Sequence, residues 1–218
     1  MTPTGSPSGS ASRSSRGKTP LFGELLRKGV HLASIVIPLA ALLVEKNLMI
    51  SLLVALALVL VLADFLKLRN QGFKTFFVNV FGELLRRREK AGSITGSTIL
   101  VASAALTIML FRREIAIAAL VFLSVGDSSA ALVGMKWGRI RLVCGRTLEG
   151  SLAAFTSCLL ASLALMKVAP FFSWRLVPIA LVAGSAVATL AELVDLPVDD
   201  NLRIPILSGL AMELLIPG

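Results

Sequence analysis

The sequence predicts an all-α protein, a polytopic transmembrane helix bundle of about seven spans with its amino terminus in the cytoplasm. Three observations carry that prediction. The 218 residues are 56% hydrophobic, with a mean hydropathy of +0.84, well above a soluble globular chain. The apolar residues come in long runs, not in the alternating pattern of a β-barrel strand. The 22 Lys and Arg residues are unevenly divided. Seventeen fall in segments that would share one side, and five (Lys46, Arg112, Arg113, Lys167, Arg175) on the other. Cations concentrate in cytoplasmic loops, so this bias sets the orientation.

Taken in order, residues 1–19 are rich in Ser, Thr, Gly and Pro with Arg13, Arg16 and Lys18, and read as a disordered basic tail. No short apolar core with a cleavage site follows directly, so the tail is not a signal peptide. Residues 20–218 form one membrane domain. Residues 21–28 start an interfacial helix, and the spans follow at about 29–44, 48–63, 91–111, 115–135, 150–166 and 176–191. Residues 64–90 are the longest polar connection. A weaker apolar stretch, Ile204 to Met212, is interrupted by Pro205 and bounded by Glu213. The hexapeptide Phe-Gly-Glu-Leu-Leu-Arg occurs at 22–27 and again at 81–86, which suggests two similar interfacial helices.

The net charge of +9 raises nucleic-acid binding, but the cations flank spans instead of forming one stripe. The two cysteines, Cys144 and Cys158, are not expected to pair, because Cys144 falls in a cytosolic loop. No zinc-type spacing exists, and His31 is the only histidine.

Asp127 is the sharpest chemical signal. It lies inside an otherwise uncharged run from Ile115 to Met135. A carboxylate inside a span costs about 2.5–3.5 kcal/mol on insertion scales, so it calls for a partner or a function. Gly126, Ser128, Ser129, Ala130 and Ala131 leave room beside it for a ligand or for close helix packing. A basic loop follows (Lys136, Arg139, Arg141, Arg146), then Glu149 at the mouth of the next run. A buried acid, a set of cations and a second acid at one membrane face suit a metal-bound nucleotide phosphate.

Four other clusters fall at the same face. Arg27, Lys28 and His31 share one helix side and could grip phosphate; positive-inside anchoring accounts for the two cations but not for the deeper His31. Asp64 ends the second span, either as a base or metal ligand or as a helix-end charge paired with Lys67. Gly145-Arg146-Thr147-Leu148-Glu149-Gly150-Ser151 combines a glycine turn, a cation, a hydroxyl and an acid at a helix start, where backbone N–H groups can hold phosphate. It is not a Walker A loop, and an ordinary capped loop is the plainer reading. The acidic turn Asp195 to Asn201 offers Asp199 and Asp200 as magnesium ligands, or capping of the next helix by Asp200 or Asn201. Glu192, just before that turn, is a further intramembrane acid.

In order, these motifs are Arg27-Lys28-x-x-His31; Arg88-Glu89 before Gly92 and Gly96; Gly126-Asp127-x-x-Ala130-Ala131-x-x-Gly134; Gly145-x-Thr147-x-Glu149-Gly150-Ser151; and Asp200-Asn201-Leu202-x-Ile204-Pro205. The ordered set resembles the CTP-dependent polyprenol and lipid kinases. That group includes dolichol kinase, phytol kinase, farnesol kinase and the CTP-dependent diacylglycerol kinase of yeast. The resemblance covers residues 24–210. It implies transfer of the CTP γ-phosphoryl group to a lipid alcohol with Mg2+ or another divalent cation. The family pattern carries over to Arg27, Lys28, Asp127, Gly134, Arg146, Thr147, Glu149, Asp200 and Asn201. Where the family usually has Lys, this chain has Arg146.

On that reading the catalytic set is Asp127, Asp64, His31 and Glu149, with Asp64 or His31 orienting the acceptor hydroxyl. Nucleotide contacts fall to Arg27, Lys28, Arg88, Lys136, Arg139, Arg146, Thr147, Gly150, Ser151 and Asn201. The metal ligands are drawn from Asp127, Glu149, Glu192, Asp199 and Asp200. The lipid alcohol enters from the bilayer and the nucleotide from the cytosol. No nucleic acid is implied, and a homodimer is kept open. The expected location is a prokaryotic inner membrane with the site facing the cytoplasm, and the extra amino-terminal spans of dolichol kinases are not expected. Two other readings compete. Phosphatidate cytidylyltransferase-type CTP transfer lacks its carboxy-terminal Lys-Asp and His-Gly-Gly signature here. A non-catalytic transporter would use intramembrane acids such as Asp127 and Glu192 as an ion pathway.

Overall fold

The computed structural model describes residues 21–142, 145–172, 176–194 and 197–216, with residues 21–24 and 87 described in backbone only. The expected tail 1–19, Cys144, Arg175 and Asp195 lie outside the described residues. Those described are helical apart from turns and one isolated antiparallel bridge, Arg141 to Thr147. The helices are α1 (Leu21–Ala33), α2 (Val36–Leu43), α3 (Lys46–Arg69), α4 (Gln71–Phe81), α5 (Arg87–Ala91), α6 (Gly96–Leu110), α7 (Arg113–Trp137), α8 (Leu148–Val168), α9 (Pro178–Leu193) and α10 (Asp200–Leu215).

Four segments are long and apolar enough to cross a membrane: Leu25–Leu43, Lys46–Arg69, Arg113–Trp137 and Leu148–Phe172. Gly96–Leu110 and Pro178–Leu193 are shorter apolar helices. The bundle is organised around α7. Of its apolar window 78% is buried, against 17% for α3, so α7 is the central helix and α3 a peripheral one. Helix α3 is apolar all round and leaves Leu48, Leu52, Leu58, Val59 and Leu62 exposed, as a lipid-facing helix does.

Small residues let α8 lie close against α7. A Cβ on Gly150 would stand 2.7 Å from the Ala130 carbonyl oxygen, and one on Gly126 would stand 3.1 Å from Cys158 Sγ. Prolines mark the irregular points. Pro38 cannot donate to the Ser34 carbonyl, and the first expected span is broken at Ser34–Ile35 between α1 and α2. Pro205 lies inside α10 and frees the Asn201 carbonyl four residues back. The Ser103 hydroxyl donates to that carbonyl at 2.7 Å, which lets the helix continue through the proline.

Several expectations are corrected. The 64–90 connection is largely helical, holding the end of α3, all of α4 and the start of α5. The next span begins at Gly96 instead of residue 91, after Gly92 turns the chain with φ 130°. The stretch expected at 204–212 is the longer helix α10. The repeated hexapeptide takes two conformations: residues 22–27 are helical in α1, whereas 81–86 unwind after Phe81. Arg86 there is extended, and its N–H donates to Glu89 Oε2 at 2.7 Å to start α5. Local context decides, so the two copies are not two like helices.

Candidate active site

Asp127 sits just past the middle of α7, 7% exposed. Helix α1 runs alongside and supplies its partners. Lys28 Nζ donates to Asp127 Oδ2 at 2.5 Å, and His31 Nε2 lies 3.4 Å from the same oxygen. His31 Nε2 is also 3.4 Å from the Leu123 carbonyl oxygen, and Ser34 and Ser124 hydroxyls meet at 3.0 Å one turn deeper. Lys28 and His31 are three residues apart, so one helix face carries both.

The α7–α8 connection delivers the second group. Leu142 N–H donates to the Arg146 carbonyl at 2.8 Å, and Leu148 N–H to the Ile140 carbonyl at 2.9 Å, which closes the loop on itself. Gly145 turns it with φ 78°, a conformation that favours glycine. Thr147 then caps α8, its hydroxyl accepting from Gly150 N–H at 3.2 Å. The loop aims Arg146 inward. Its guanidinium donates to Glu192 Oε1 at 2.8 Å and to Asp200 Oδ2 at 3.0 Å. Burial works against its charge, but Glu192, Asp200 and Asp127 outweigh burial and hold the Arg146 pKa above its ordinary value. Asp200 also accepts from Arg203, so two guanidinium groups share one carboxylate.

Two cavities adjoin here. One, of about 360 Å³, is lined by Ala130, Ala131, Gly134, Gly138, Arg141, Gly145, Arg146, Thr147, Gly150, Ser151 and Glu192, with Met135 at its edge. The other, of about 510 Å³, is two-faced. Arg27, Lys28, His31, Asp127, Arg146, Asp199, Asp200 and Asn201 line its polar part. Val30, Leu60, Phe77, Phe81, Leu84, Leu85, Leu100 and Val101 line its apolar part. Ala131 and Arg146 border both cavities. A glycine-lined, arginine-bearing space thus opens beside an amphipathic one, with the Asp127–Lys28 pair at the polar end.

No protein-family profile and no solved structure matches the chain. Curated proteins do. Over 191 residues it is 30% identical to CTP-dependent diacylglycerol kinase 1 of Eremothecium gossypii, covering 78% of this chain and 59% of that protein. It is 28% identical over 167 residues to CTP-dependent diacylglycerol kinase 1 of Schizosaccharomyces pombe, covering 70% of this chain and 74% of that one. An uncharacterized protein of Rickettsia prowazekii is 27% identical over 186 residues, 84% of this chain and 90% of its own length. This distant similarity supports the lipid-kinase family that the motifs resemble. The chain spans less than two thirds of the length of the Eremothecium kinase.

Of the residues singled out for such a kinase, the structure brings Arg27, Lys28, His31, Asp127, Arg146, Asp199, Asp200 and Asn201 around one cavity, and Thr147, Gly150, Ser151 and Glu192 around the other. Five line neither. Asp64 is turned to Lys67, Thr95 and Thr98. Glu149 accepts the Ile140 N–H at 3.2 Å and secures the loop from behind. Lys136 lies 4.4 Å over the Trp137 ring, Arg88 is a mostly exposed partner 3.5 Å from Asp199, and Arg139 sits near Glu149.

The five expected metal-ligand carboxylates are likewise divided. Among the described residues no group of three or more His, Cys, Asp or Glu side chains gathers as a metal cluster. Asp127 faces Lys28, Glu192 and Asp200 face Arg146, Asp199 faces Arg86 and Arg88, and Glu149 holds backbone. The cap of α10 is Asp199, accepting Asn201 N–H at 3.1 Å, not Asp200 or Asn201.

Sequence reasoning missed Phe77 and Phe81 as cavity residues, and Arg203 as a partner of Asp200. Phe73, Phe77 and Phe81 recur every four residues, and that helical period was the available signal. Glu89 stands in the Arg88-Glu89 motif, but the motif gives it no role; its place depends on Arg86 N–H and Gly96 N–H closing on its two oxygens.

Proposed function

We propose that this protein phosphorylates a lipid alcohol with CTP at the cytoplasmic face of the membrane. The single observation that carries the reading is the pair of adjoining cavities that share Ala131 and Arg146. The glycine-lined one suits a nucleotide triphosphate, and the amphipathic one suits a hydroxyl-bearing lipid. The similarity to CTP-dependent diacylglycerol kinases supports the donor and the reaction. The cation-rich end faces the cytoplasm, and seven helical passes account for both ends of the bundle.

Phosphoryl transfer asks chiefly for positioning and charge neutralisation. Arg146 and Lys28 now hold carboxylates, and the triphosphate would replace those as their anions. The acceptor hydroxyl lies beside Asp127 and His31. Its oxygen bonds the γ-phosphorus while the bond from that phosphorus to the β-bridging oxygen breaks. The hydroxyl proton passes to His31, and CDP leaves toward the aqueous side. The donor set fits a phosphate-bound divalent cation, which takes only one or two protein carboxylates. Asp127 and Asp200, which both line the amphipathic cavity, would hold it, and it would neutralise triphosphate charge.

The test is direct. Purified protein receives CTP labelled at the γ-phosphate and a panel of phytol, geranylgeraniol, undecaprenol and diacylglycerol. Label in a lipid is the expected result and names the acceptor. No label in any lipid overturns the proposal, and lipid label from the α-phosphate alone means cytidylyl transfer.

A further inference from the structure

Asp64 and Lys67 are buried, yet neither lines either of the two cavities described above, and the mechanism above uses neither. The Lys67 side chain is fully enclosed. Its Nζ donates to Asp64 Oδ1 at 2.8 Å and to the Ser93 carbonyl at 3.0 Å, and lies 5.5 Å from the centre of the Phe77 ring. Asp64 Oδ2 accepts from Thr95 N–H at 3.0 Å, from the Thr95 hydroxyl at 3.2 Å and from the Thr98 hydroxyl at 2.7 Å. Both carboxylate oxygens are therefore occupied by fixed donors. One ion pair on α3 thus grips the start of α6 and the middle of α4. From those two elements come Thr95 and Phe77, both lining residues of the amphipathic cavity.

A buried ion pair is a weak source of net stability, since apolar residues of like volume often do as well. Its distinctive property is directional: it fixes where several partners sit. We infer that Asp64 and Lys67 are positioning residues for the lipid acceptor, holding Phe77 and Thr95 so that the cavity wall discriminates among acceptor chains. This rests on the lipid-alcohol reading of that cavity.

The test compares wild type with K67M, with D64L/K67M (which removes both charges at once) and with D64N, each checked for folding by thermal unfolding in detergent. In K67M and D64L/K67M the acceptor KM rises by about tenfold or more and the preference among acceptors flattens. The KM for CTP and kcat stay within about threefold, the signature of lost binding without lost chemistry. F77A reproduces the pattern. Equal acceptor KM and preference in a folded D64L/K67M protein overturn the inference. So does a D64N protein that loses kcat by about a hundredfold with its acceptor KM unchanged, which would make Asp64 a base.

A second readout does not depend on turnover. A long-chain alcohol carrying a diazirine is photocrosslinked to wild type and to D64L/K67M. Labelling of the Phe77 segment that falls about tenfold in the variant upholds the positioning role even if no lipid is phosphorylated, and equal labelling overturns it.

Discussion

The two ends of the bundle both carry cations, but they give them different kinds of partner. At one end Arg113 donates to the Ala41, Leu42 and Val44 carbonyls, each at 2.9 Å, and Lys46 to the Phe111 carbonyl at 2.9 Å. Arg112 beside them reaches Glu213 at 2.7 Å and the Ile216 carbonyl at 3.0 Å. Most of these acceptors are carbonyls at helix C-termini, which have no intrahelical donor and cannot move away. At the other end Lys28 and Arg146 face carboxylates that border a cavity. A carboxylate partner can be exchanged for a phosphate, whereas a helix-end carbonyl cannot. Arg112, Arg113 and Lys46 at one end therefore fasten the chain, and Lys28 and Arg146 at the other are available to a ligand.

The largest effects should come from breaking the cavity end. Asp127→Asn removes the charge that orients Lys28 and His31. Turnover of labelled CTP into lipid falls by about a hundredfold or more, the loss typical of a deleted electrostatic contact at a reacting centre. Thermal unfolding in detergent checks that the protein remains folded. A variant that keeps turnover would remove Asp127 from the chemistry. Arg146→Ala comes next. It leaves Glu192 buried without its cation, a loss of up to about 3–5 kcal/mol for a fully buried pair, and less here because Arg146 is 31% exposed. Its KM for CTP rises by about tenfold or more. Arg146→Lys keeps the charge but not the fork that reaches two carboxylates, so its KM lies between the two.

How much of this contrast was legible depends on the kind of signal. Asp127 stood out because a charge in an apolar run is costly wherever the chain folds, and Lys28 and His31 followed from helical spacing. The helical class followed from the same apolar runs. Asp64 could not be resolved from sequence: the expected pairing with Lys67 is present, but Thr95 and Thr98 complete it from α6, across a connection of uncertain path. Glu149, in the first turn of α8, spends its carboxylate on the Ile140 N–H across the loop, a contact that exists only once the loop has closed. The aromatic wall on α4 was hidden because it falls inside the 64–90 stretch, whose cations on either side (Lys67, Arg69, Arg86, Arg87, Arg88, Lys90) made it read as a polar connection, although its phenylalanines kept a helical period. Fold-dependent partners, unlike insertion costs, leave no mark on one stretch of chain.

The fastening end predicts a different response. Arg113→Ala removes three hydrogen bonds from one guanidinium and leaves helix-end carbonyls without donors. Stability falls by about 1.5–3 kcal/mol, read from unfolding in detergent, while turnover per folded molecule is unchanged. A matching fall in the affinity for CTP would erase the distinction between the ends.

The smallest effect is a pH response at the fastening end. Glu45 caps α3, accepting Asn47 N–H at 2.9 Å and Leu48 N–H at 3.0 Å through Oε2. Those two N–H donors favour the carboxylate and hold its pKa below the ordinary value of 4.5. A depressed pKa means the folded state holds its proton less tightly than the unfolded chain. The contribution is therefore fully present above pH 4.5 and is lost as pH falls through the folded-state value. Glu45 is exposed, so solvent screens the effect and the shift in unfolding temperature is slight. Wild type should lose a little more stability than Glu45→Gln on acidification below that pH, and the two should run parallel above it. A divergence of the two curves near neutral pH would instead assign the response to a group at the cavity end.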